Sequence, residues 1–259
     1  HRHHVLTEEL GTTDPPQGAA DLQPVVLLDP VQTGLPQPQR AKGRIDPAPA
    51  RIAQALKFAQ SLRRHGSAFF TENTRASQAL DDMLRQARGT QMLVLHQLGN
   101  HGPSYFRRYP AAFAKFQPVC DNDDLRRCSR EQIVNAYDNA LLYTDEVLAR
   151  LIEQLRARQD RIDSAVLYVS DHGESLGEIN VFLHGIPYAI APDEQTKVPM
   201  TWWLSPGYAA SFGLDMACLK QEAKQSRTHD NLFHTTLGLL QVQSSEYEPR
   251  LDITRACRR

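Results

Sequence analysis

The residues best suited to chemistry lie between Tyr168 and Gly185, in the stretch YVSDHGESLGEINVFLHG. Asp171 and His172 are adjacent and follow an apolar run, and His184 comes thirteen positions after Asp171. One carboxylate oxygen and one imidazole nitrogen at a strand end suit Zn²⁺ or a similar borderline cation. This stretch therefore predicts a divalent-metal site formed by Asp171 and His172, with His184 returning to it from the next loop.

A second polar loop follows another apolar run, MLVLHQLGNH, which supplies His96 and His101. His101 and His184 lie in loops flanked by glycine, which lets the backbone turn sharply and approach a ligand closely. We therefore expect both to belong to the site. A lone histidine is more often structural than functional, and that interpretation is favoured for His96 because it lies at the end of the apolar run. For Asp171 the structural alternative is a helix N-cap.

Strand-like apolar runs alternate with helical patterns from Ala79 onward. The runs are TQMLVLHQ, SAVLYVS and VPMTWWLS, and the shorter helical patterns are ALDDMLRQ and HDNLFHTTLGLLQV. Continuous apolar strands between helices predict an α/β fold with a mostly parallel sheet flanked by helices. In such sheets ligands bind outside the carboxyl ends of the strands, which is where His101, Asp171 and His172 would lie.

The longest helical pattern begins at Ser129 and continues to Gln159. Ser129 is followed three positions later by Gln132, which is the pattern of a capping box. Apolar residues then recur with a period of 3.6 and predict one long amphipathic helix. The predicted stripe contains Ile133, Ala136, Tyr137, Ala140, Leu141, Val147, Leu148, Leu151, Ile152 and Leu155.

Residues 1–50 differ in composition from the rest of the chain. Half of the 16 prolines fall within the first 49 residues, and the first aromatic residue is Phe58. Such a segment has little apolar surface to offset the entropy of ordering it. We therefore predict a Pro-rich segment over 1–50 that does not build a core alone and is open to disorder, although LQPVVLLDP could still form a short strand. Residues 51–259 form the predicted domain, which begins with a helix over 51–66.

The charge and hydropathy of the chain argue against nucleic-acid binding and against a membrane-spanning segment within it. A formal net charge of −1 argues against nucleic acid, since a phosphate polyanion requires clustered Lys and Arg. No run approaches the roughly 18 apolar residues of a membrane span. Any membrane association is therefore expected to use a region outside this chain. Arg107 and Arg108 could attract anionic headgroups, although two loop arginines are usually just solvated.

Five blocks of the sequence together resemble the lipid A phosphoethanolamine transferases, the family that includes the transferable colistin-resistance enzymes. They occur in order from about Ala79 to the C-terminus and read HQLGNHGPSYFRRYP, CSREQIVNAYDNALLYTD, LYVSDHGESLGE, FLHGIPYAIAPDEQTKVP and THDNLFHTTLGLL. The resemblance implies an alkaline phosphatase and sulfatase-like fold for residues 51–259. It also implies a catalytic domain on the periplasmic side of the bacterial inner membrane.

The resemblance assigns roles to individual residues. It implies that Asp171 and His172 bind a catalytic Zn²⁺, and that His101 and His184 lie beside the transferred phosphoryl group. It further implies a zinc-activated threonine that takes phosphoethanolamine from phosphatidylethanolamine and passes it to lipid A. Such a metal lowers the pKa of the nucleophile and neutralises phosphoryl charge.

The upstream part of the family pattern is missing from this sequence. A glutamate ligand in a GET segment and a threonine nucleophile in a GT-x-TA segment have no counterpart. Thr12, Thr13, Glu72 and Thr74 lie upstream, but none has the expected strand-then-helix setting. The nucleophile is therefore unknown, and the domain is expected to be incomplete at its N-terminal end. Two alternatives stay open: an impaired or truncated remnant of this family, and a metal-dependent phosphodiesterase or sulfatase-type hydrolase.

Cysteines and a late histidine complete the set of candidates. Cys120 and Cys128 bracket DNDDLRR, a loop that a disulfide could close. The resemblance implies that bond, and two free thiols are the alternative. Cys218 and Cys257 could form a second bridge, although no local pattern requires it. His229 with Asp230 could orient the site from outside or cap the C-terminal helix.

Overall fold

The computed structural model describes residues 25–30, 75–87, 90–95 and 97–259, with side chains for all of these except 25–30 and 75–79. The described strands are β1 (Val25–Pro30), β2 (Gln91–Val94), β3 (Ile162–Val169), β4 (Ser175–Leu176), β5 (Phe182–Leu183) and β6 (Met200–Leu204). The described α-helices are α1 (Arg75–Gln86), α2 (Arg130–Arg156), α3 (Asp193–Thr196), α4 (Pro206–Ser211), α5 (Met216–Glu222) and α6 (His229–Leu239). The predicted mixture of strands and helices is confirmed, whereas the helix predicted over 51–66 lies outside the described residues.

The main sheet has the strand order β2-β1-β3-β6, and every neighbouring pair in it is antiparallel. The prediction of a mostly parallel sheet is therefore wrong for the described strands. Continuous apolar strands show that both faces of a sheet are covered, but they do not determine strand direction. The Pro-rich segment supplies part of this difference, because its short strand β1 inserts between β2 and β3, and β6 adds to it by pairing antiparallel with β3.

This topology still brings the two polar loops together. Strands β2 and β3 both run antiparallel to β1, so they point in the same direction. Their carboxyl ends therefore lie at the same edge of the sheet. The loops that follow them carry His101 and His172, respectively.

Strand β3 is buried because helices cover both faces of the sheet. Ala165, Leu167 and Val169 pack in one core cluster with residues of α4, α5 and α6. Ile162 and Val166 pack in a second cluster with α1 and α2. The alternation of these residues between the two clusters is the two-residue period of a strand, and it explains the continuous apolar run in the sequence.

Helix α2 is the principal support of the second cluster. Its capping box is confirmed: the Ser129 hydroxyl accepts a hydrogen bond from the Gln132 amide at 3.2 Å, and Gln132 Oε1 accepts one from the Ser129 amide at 2.9 Å. Most of the predicted stripe faces the core, but Leu141 is 47% exposed. Tyr143 and Thr144 are the buried residues of that turn. They lie three and four positions after buried Ala140 and so share its face of the helix, whereas Leu141 lies on another face.

Both candidate disulfides form in the structure. Cys120 and Cys128 are paired across a Cα–Cα distance of 5.6 Å, and Cys218 and Cys257 across 5.4 Å. The first closes the loop before α2, and the second joins α5 to the C-terminal segment. Among the described helices, none combines the length and apolar character needed to cross a bilayer.

Candidate functional site

Three histidines meet at the edge of the sheet where β2 and β3 end. His101 follows β2, His172 follows β3 within three residues, and His184 directly follows β5. The centroids of the His172 and His184 rings are 3.8 Å apart, and the His101 centroid lies 4.8 Å from that of His184 and 5.6 Å from that of His172. The structure therefore brings together three of the four residues that were proposed from the sequence as metal-binding or catalytic.

The three imidazoles share one hydrogen-bonding arrangement. Nδ1 of His101 lies 2.7 Å from the Gly102 carbonyl oxygen, and Nδ1 of His172 lies 2.9 Å from the Gly173 carbonyl oxygen. Nδ1 of His184 lies 2.9 Å from a carboxylate oxygen of Glu174. Carbonyl and carboxylate oxygens only accept hydrogen bonds, so each Nδ1 carries a proton. In each neutral ring Nε2 is then the nitrogen with the free lone pair.

Glu174 is the site residue that the sequence analysis missed. Together with the three histidines it forms a group whose potential ligand atoms all lie within 4.8 Å of one another. Its side chain is only 5% exposed. Its sequence signal was only its position in SDHGES, three residues after Asp171. The burial that requires a carboxylate to have hydrogen-bond partners is seen only in the structure.

Asp171 lies at the margin of this group. Its Oδ1 accepts a hydrogen bond from the His172 amide at 3.0 Å, and its Oδ2 is 3.8 Å from His172 Nε2. Two ligands that each bind zinc at about 2.0–2.2 Å can be separated by up to about 4 Å. Asp171 and His172 are therefore placed so that one ion could contact both.

Close backbone packing fixes the loop between β3 and β4. A Cβ atom at Gly173 would lie 1.9 Å from the Glu194 carbonyl oxygen, so only glycine fits there. The Gly173 amide donates to the Gln195 carbonyl oxygen at 3.0 Å. Ser175 accepts a hydrogen bond from the Gln195 side chain at 2.9 Å. The segment at α3 thus holds the loop that carries His172 and Glu174.

Neighbouring elements hold the other parts of the site. Thr144 on α2 donates a hydrogen bond to the Asn100 side chain at 2.9 Å, and Arg108 Nε donates to the His101 carbonyl oxygen at 2.9 Å. His229 Nε2 lies 2.8 Å from the Ser170 carbonyl oxygen. The two alternatives were that His229 and Asp230 orient the site or that they cap the C-terminal helix. His229 contacts Ser170, directly after β3, and Asp230 lies in the first turn of α6.

Burial controls the charge of several groups around the histidines. The pKa of Tyr105 is raised well above its ordinary range, first by burial and then by the charge of Glu174. Tyr105 therefore stays protonated and donates its hydroxyl hydrogen to Glu174 Oε2 at 2.5 Å. Burial also lowers the pKa of half-buried Arg108, with a further contribution from Arg107. Among the described residues, Arg108 has no carboxylate at ion-pairing distance, although the more distant charges of Asp123 and Glu174 raise its pKa in part, so it adds positive charge beside His101.

The donor set of this site fits zinc. Imidazole nitrogens together with a carboxylate oxygen are ligands that Zn²⁺ prefers. The hydrogen bonds made by Nδ1 leave the three Nε2 atoms available for a metal ion. His96 and the upstream candidates Thr12, Thr13, Glu72 and Thr74 lie outside the described residues.

Comparison with known proteins gives consistent matches over most of the chain. Phosphoethanolamine transferase EptA of Salmonella typhimurium is 46% identical over 181 residues, which is 70% of this chain and 33% of the relative. Phosphatidylethanolamine transferase Mcr-2 of Escherichia coli is 44% identical over 172 residues, covering 66% and 30% of the two chains. This chain therefore spans about a third of the length of these curated relatives.

The fold matches a solved structure as well. The soluble domain of lipooligosaccharide phosphoethanolamine transferase A from Neisseria meningitidis superposes with a TM-score of 0.68 at 44% identity, covering 71% of this chain and 55% of that one. The predicted sulfatase-like fold and the resemblance to phosphoethanolamine transferases are thereby confirmed. A family model described as Sulfatase matches residues 61–242, and the chain therefore belongs to the sulfatase family.

Proposed function

We propose that this chain is the catalytic domain, or most of it, of a phosphoethanolamine transferase that moves phosphoethanolamine from phosphatidylethanolamine to lipid A. The observation that carries the proposal is the convergence of His101, His172, Glu174 and His184 at one edge of the sheet. Relatives that are 44–46% identical are named phosphoethanolamine or phosphatidylethanolamine transferases. The whole activity, donor and acceptor are proposed for this chain on that basis.

Zn²⁺ is the proposed cofactor, with Asp171 and His172 as its ligands and with His101 and His184 beside the transferred phosphoryl group. Zinc bound there would polarise the phosphoryl oxygens and lower the pKa of a hydroxyl nucleophile. His101 or His184 would take the proton of the attacking hydroxyl at Nε2, and the resulting imidazolium would donate a hydrogen bond to a phosphoryl oxygen. That proton would go to the alkoxide that leaves when the phosphorus–oxygen bond to the lipid breaks.

Arg108 supports the same chemistry electrostatically. Its half-buried guanidinium is held against the His101 carbonyl oxygen, and the carboxylates of Asp123 and Glu174 act on it without forming an ion pair. A phosphodiester brings negative charge to the site, and a fixed cation in a partly desolvated position stabilises that charge better than it would in water.

The proposed location is the periplasmic face of the bacterial inner membrane. Two disulfides are present, and such bonds persist in an oxidising compartment. A structural relative is the C-terminal periplasmic domain of phosphoethanolamine transferase EptC from Campylobacter jejuni. Membrane association is proposed through a region outside this chain.

A second candidate is a catalytically impaired member of the same family. One observation favours it: the sequence contains neither the GET segment nor the GT-x-TA segment of the resembled family. A family member without these two segments would have fewer zinc ligands and no nucleophile to receive phosphoethanolamine.

A single labelling experiment separates these functions. The chain is incubated with zinc and phosphatidylethanolamine labelled in its headgroup, with and without lipid A, and peptides and lipids are analysed by mass spectrometry. A transferase gives a phosphoethanolamine adduct on one threonine and labelled lipid A, and Asp171→Ala abolishes both. The matched control is Asp193→Ala, at an aspartate whose side chain is 71% exposed. Release of free phosphoethanolamine would instead identify a hydrolase, and absence of any product would identify an impaired member.

A further inference from the structure

Glu174 connects two loops of the site through a buried carboxylate. Its Oε1 accepts hydrogen bonds from His184 Nδ1 at 2.9 Å and from the Gly102 amide at 3.4 Å, and its Oε2 accepts one from the Tyr105 hydroxyl at 2.5 Å. Gly102 follows His101 directly. One side chain therefore contacts the loop of His101 and the imidazole of His184 together.

These contacts argue against Glu174 as a metal ligand, although its oxygens lie close to the histidine nitrogens. Both carboxylate oxygens are already engaged by donors of the protein. The contact to His184 is made at Nδ1, so it leaves the Nε2 lone pair of that ring for a metal ion or for a proton that can then be donated to a phosphoryl oxygen. A carboxylate that accepts the far N–H of a site histidine fixes the tautomer and orientation of its ring.

We infer that Glu174 is a positioning residue, which holds His184 in the Nδ1–H tautomer and fixes its orientation relative to His101. The inference rests on the proposed function only in giving His184 a role beside the phosphoryl group. The hydrogen bonds themselves are independent of that function.

His184 needs such a partner more than the other two histidines do. His101 and His172 each place Nδ1 against the carbonyl oxygen of the next residue, so their own backbone fixes the tautomer. His184 instead uses a side chain ten residues away. The neutral Tyr105 hydroxyl reinforces the arrangement, because it can donate to the carboxylate and thereby restricts Glu174 to one orientation.

The tautomer can be measured directly by nitrogen-15 NMR of the imidazole rings in the metal-free chain. The spectra are recorded above the ordinary imidazole pKa of about 6.5, with His184→Gln used for assignment. In the wild-type chain we expect the His184 resonances to show a protonated Nδ1 and an unprotonated Nε2. A protonated Nε2 in the wild-type chain would overturn the inference without any variant.

Variants then test whether Glu174 is the cause. Glu174→Leu removes both acceptor oxygens at similar volume, and we expect His184 to shift toward the Nε2–H form that free imidazoles prefer in water. Tyr105→Phe removes one donor to Glu174 but leaves the His184 contact, so the tautomer should be retained. Asp252→Asn is the matched control, since Asp252 is a buried carboxylate held by Tyr247, Thr254 and Arg258. An unchanged His184 tautomer in folded Glu174→Leu would contradict the inference.

Transfer activity provides a second readout that separates positioning from general stability. Loss of a group that orients a site histidine typically lowers activity or metal affinity 10–100-fold, and we expect a loss of about that size in Glu174→Leu. If Glu174 acts through His184, the double variant with His184→Ala should be no worse than His184→Ala alone. Additive losses would overturn the inference. A wild-type chain with the Nδ1–H tautomer but no transfer would refute the proposed function and leave the positioning role intact.

Discussion

At the residue scale, the site depends on backbone atoms as much as on side chains. His101 and His172 are oriented by neighbouring carbonyl oxygens, and these carbonyls belong to two glycines. The orientation of the two imidazole rings therefore depends on the backbone conformation of the loops. Small changes in these glycines should affect the site as strongly as changes in the histidines.

Gly173→Ala should be strongly destabilising. The added Cβ would lie 1.9 Å from the Glu194 carbonyl oxygen, a backbone atom that cannot rotate away. We expect the free energy of unfolding to fall by at least about 3 kcal/mol, the upper end of the usual overpacking range. Chemical denaturation followed by circular dichroism measures the change.

Gly99→Ala is the matched control for that substitution. Its Cβ would meet no atom within 4 Å, but its φ is +49°, so the cost is the left-handed conformation alone, about 1–2 kcal/mol. If Gly173→Ala destabilised the chain no more than Gly99→Ala does, the close packing against Glu194 would not be what holds the loop.

Most of the site residues could be found from the sequence, and the exception has a physical reason. Asp171 and His172 follow an apolar strand, and His101 and His184 are flanked by glycine, so local patterns suffice to propose them. Glu174 is recognised only when its burial and its partners are known. Those partners come from 69 and 72 positions away for Tyr105 and Gly102, and such distant contacts leave no local pattern.

At the element scale, helix α2 supports both the core and the loops in front of the site. Thr144 anchors the loop that contains Asn100. Five positions earlier, fully buried Asn139 accepts hydrogen bonds from the Lys115 and Phe116 amides at 2.8 and 2.9 Å. The helix was predicted because a capping box and an apolar period are local signals; these polar contacts with distant loops were not predictable.

Asn139→Ala should loosen the loop before the first disulfide. The substitution removes two hydrogen bonds to backbone amides, each worth about 0.5–1.5 kcal/mol, and leaves a cavity at a fully buried position, which adds to the cost. We expect a loss of about 2–4 kcal/mol in the free energy of unfolding, measured by urea denaturation. Asn135→Ala, at an asparagine of the same helix that makes one exposed hydrogen bond to the Pro118 carbonyl oxygen, should cost less than about 1 kcal/mol. Equal losses in the two variants would contradict the role of Asn139.

The two disulfides should contribute unequally to stability. Cys120–Cys128 joins residues 8 positions apart, and Cys218–Cys257 joins residues 39 positions apart. Because closing a longer loop restricts the unfolded chain more, removal of the second should cost about 1–1.5 kcal/mol more than removal of the first. Double Cys→Ser variants of each pair, compared by denaturant unfolding, measure the difference. A greater loss from the Cys120–Cys128 pair would show that local packing, rather than loop entropy, decides the effect.

At the scale of the whole molecule, the sequence predicts the layers but not the direction of the strands. Apolar runs at β2, β3 and β6 indicated strands covered on both faces, and the two core clusters confirm that cover. The antiparallel order arises from β1, which pairs with residues more than 60 positions away, and from β6, which pairs antiparallel with β3. Strand pairing over such separations is decided by the whole fold rather than by local sequence.

The central claim is that Asp171 and His172 bind zinc at the sheet edge, beside His101 and His184. Its most direct test is zinc binding to the metal-free chain, measured by calorimetric titration of the wild type, His172→Ala and the surface control Asp193→Ala. We predict binding of one zinc ion at this site in the wild type and the control, with stabilisation of about 2.7 kcal/mol when free zinc is 100 times the Kd. His172→Ala should weaken binding at least about tenfold. Equal zinc affinity in His172→Ala and the wild type, or no binding to either, would contradict the account.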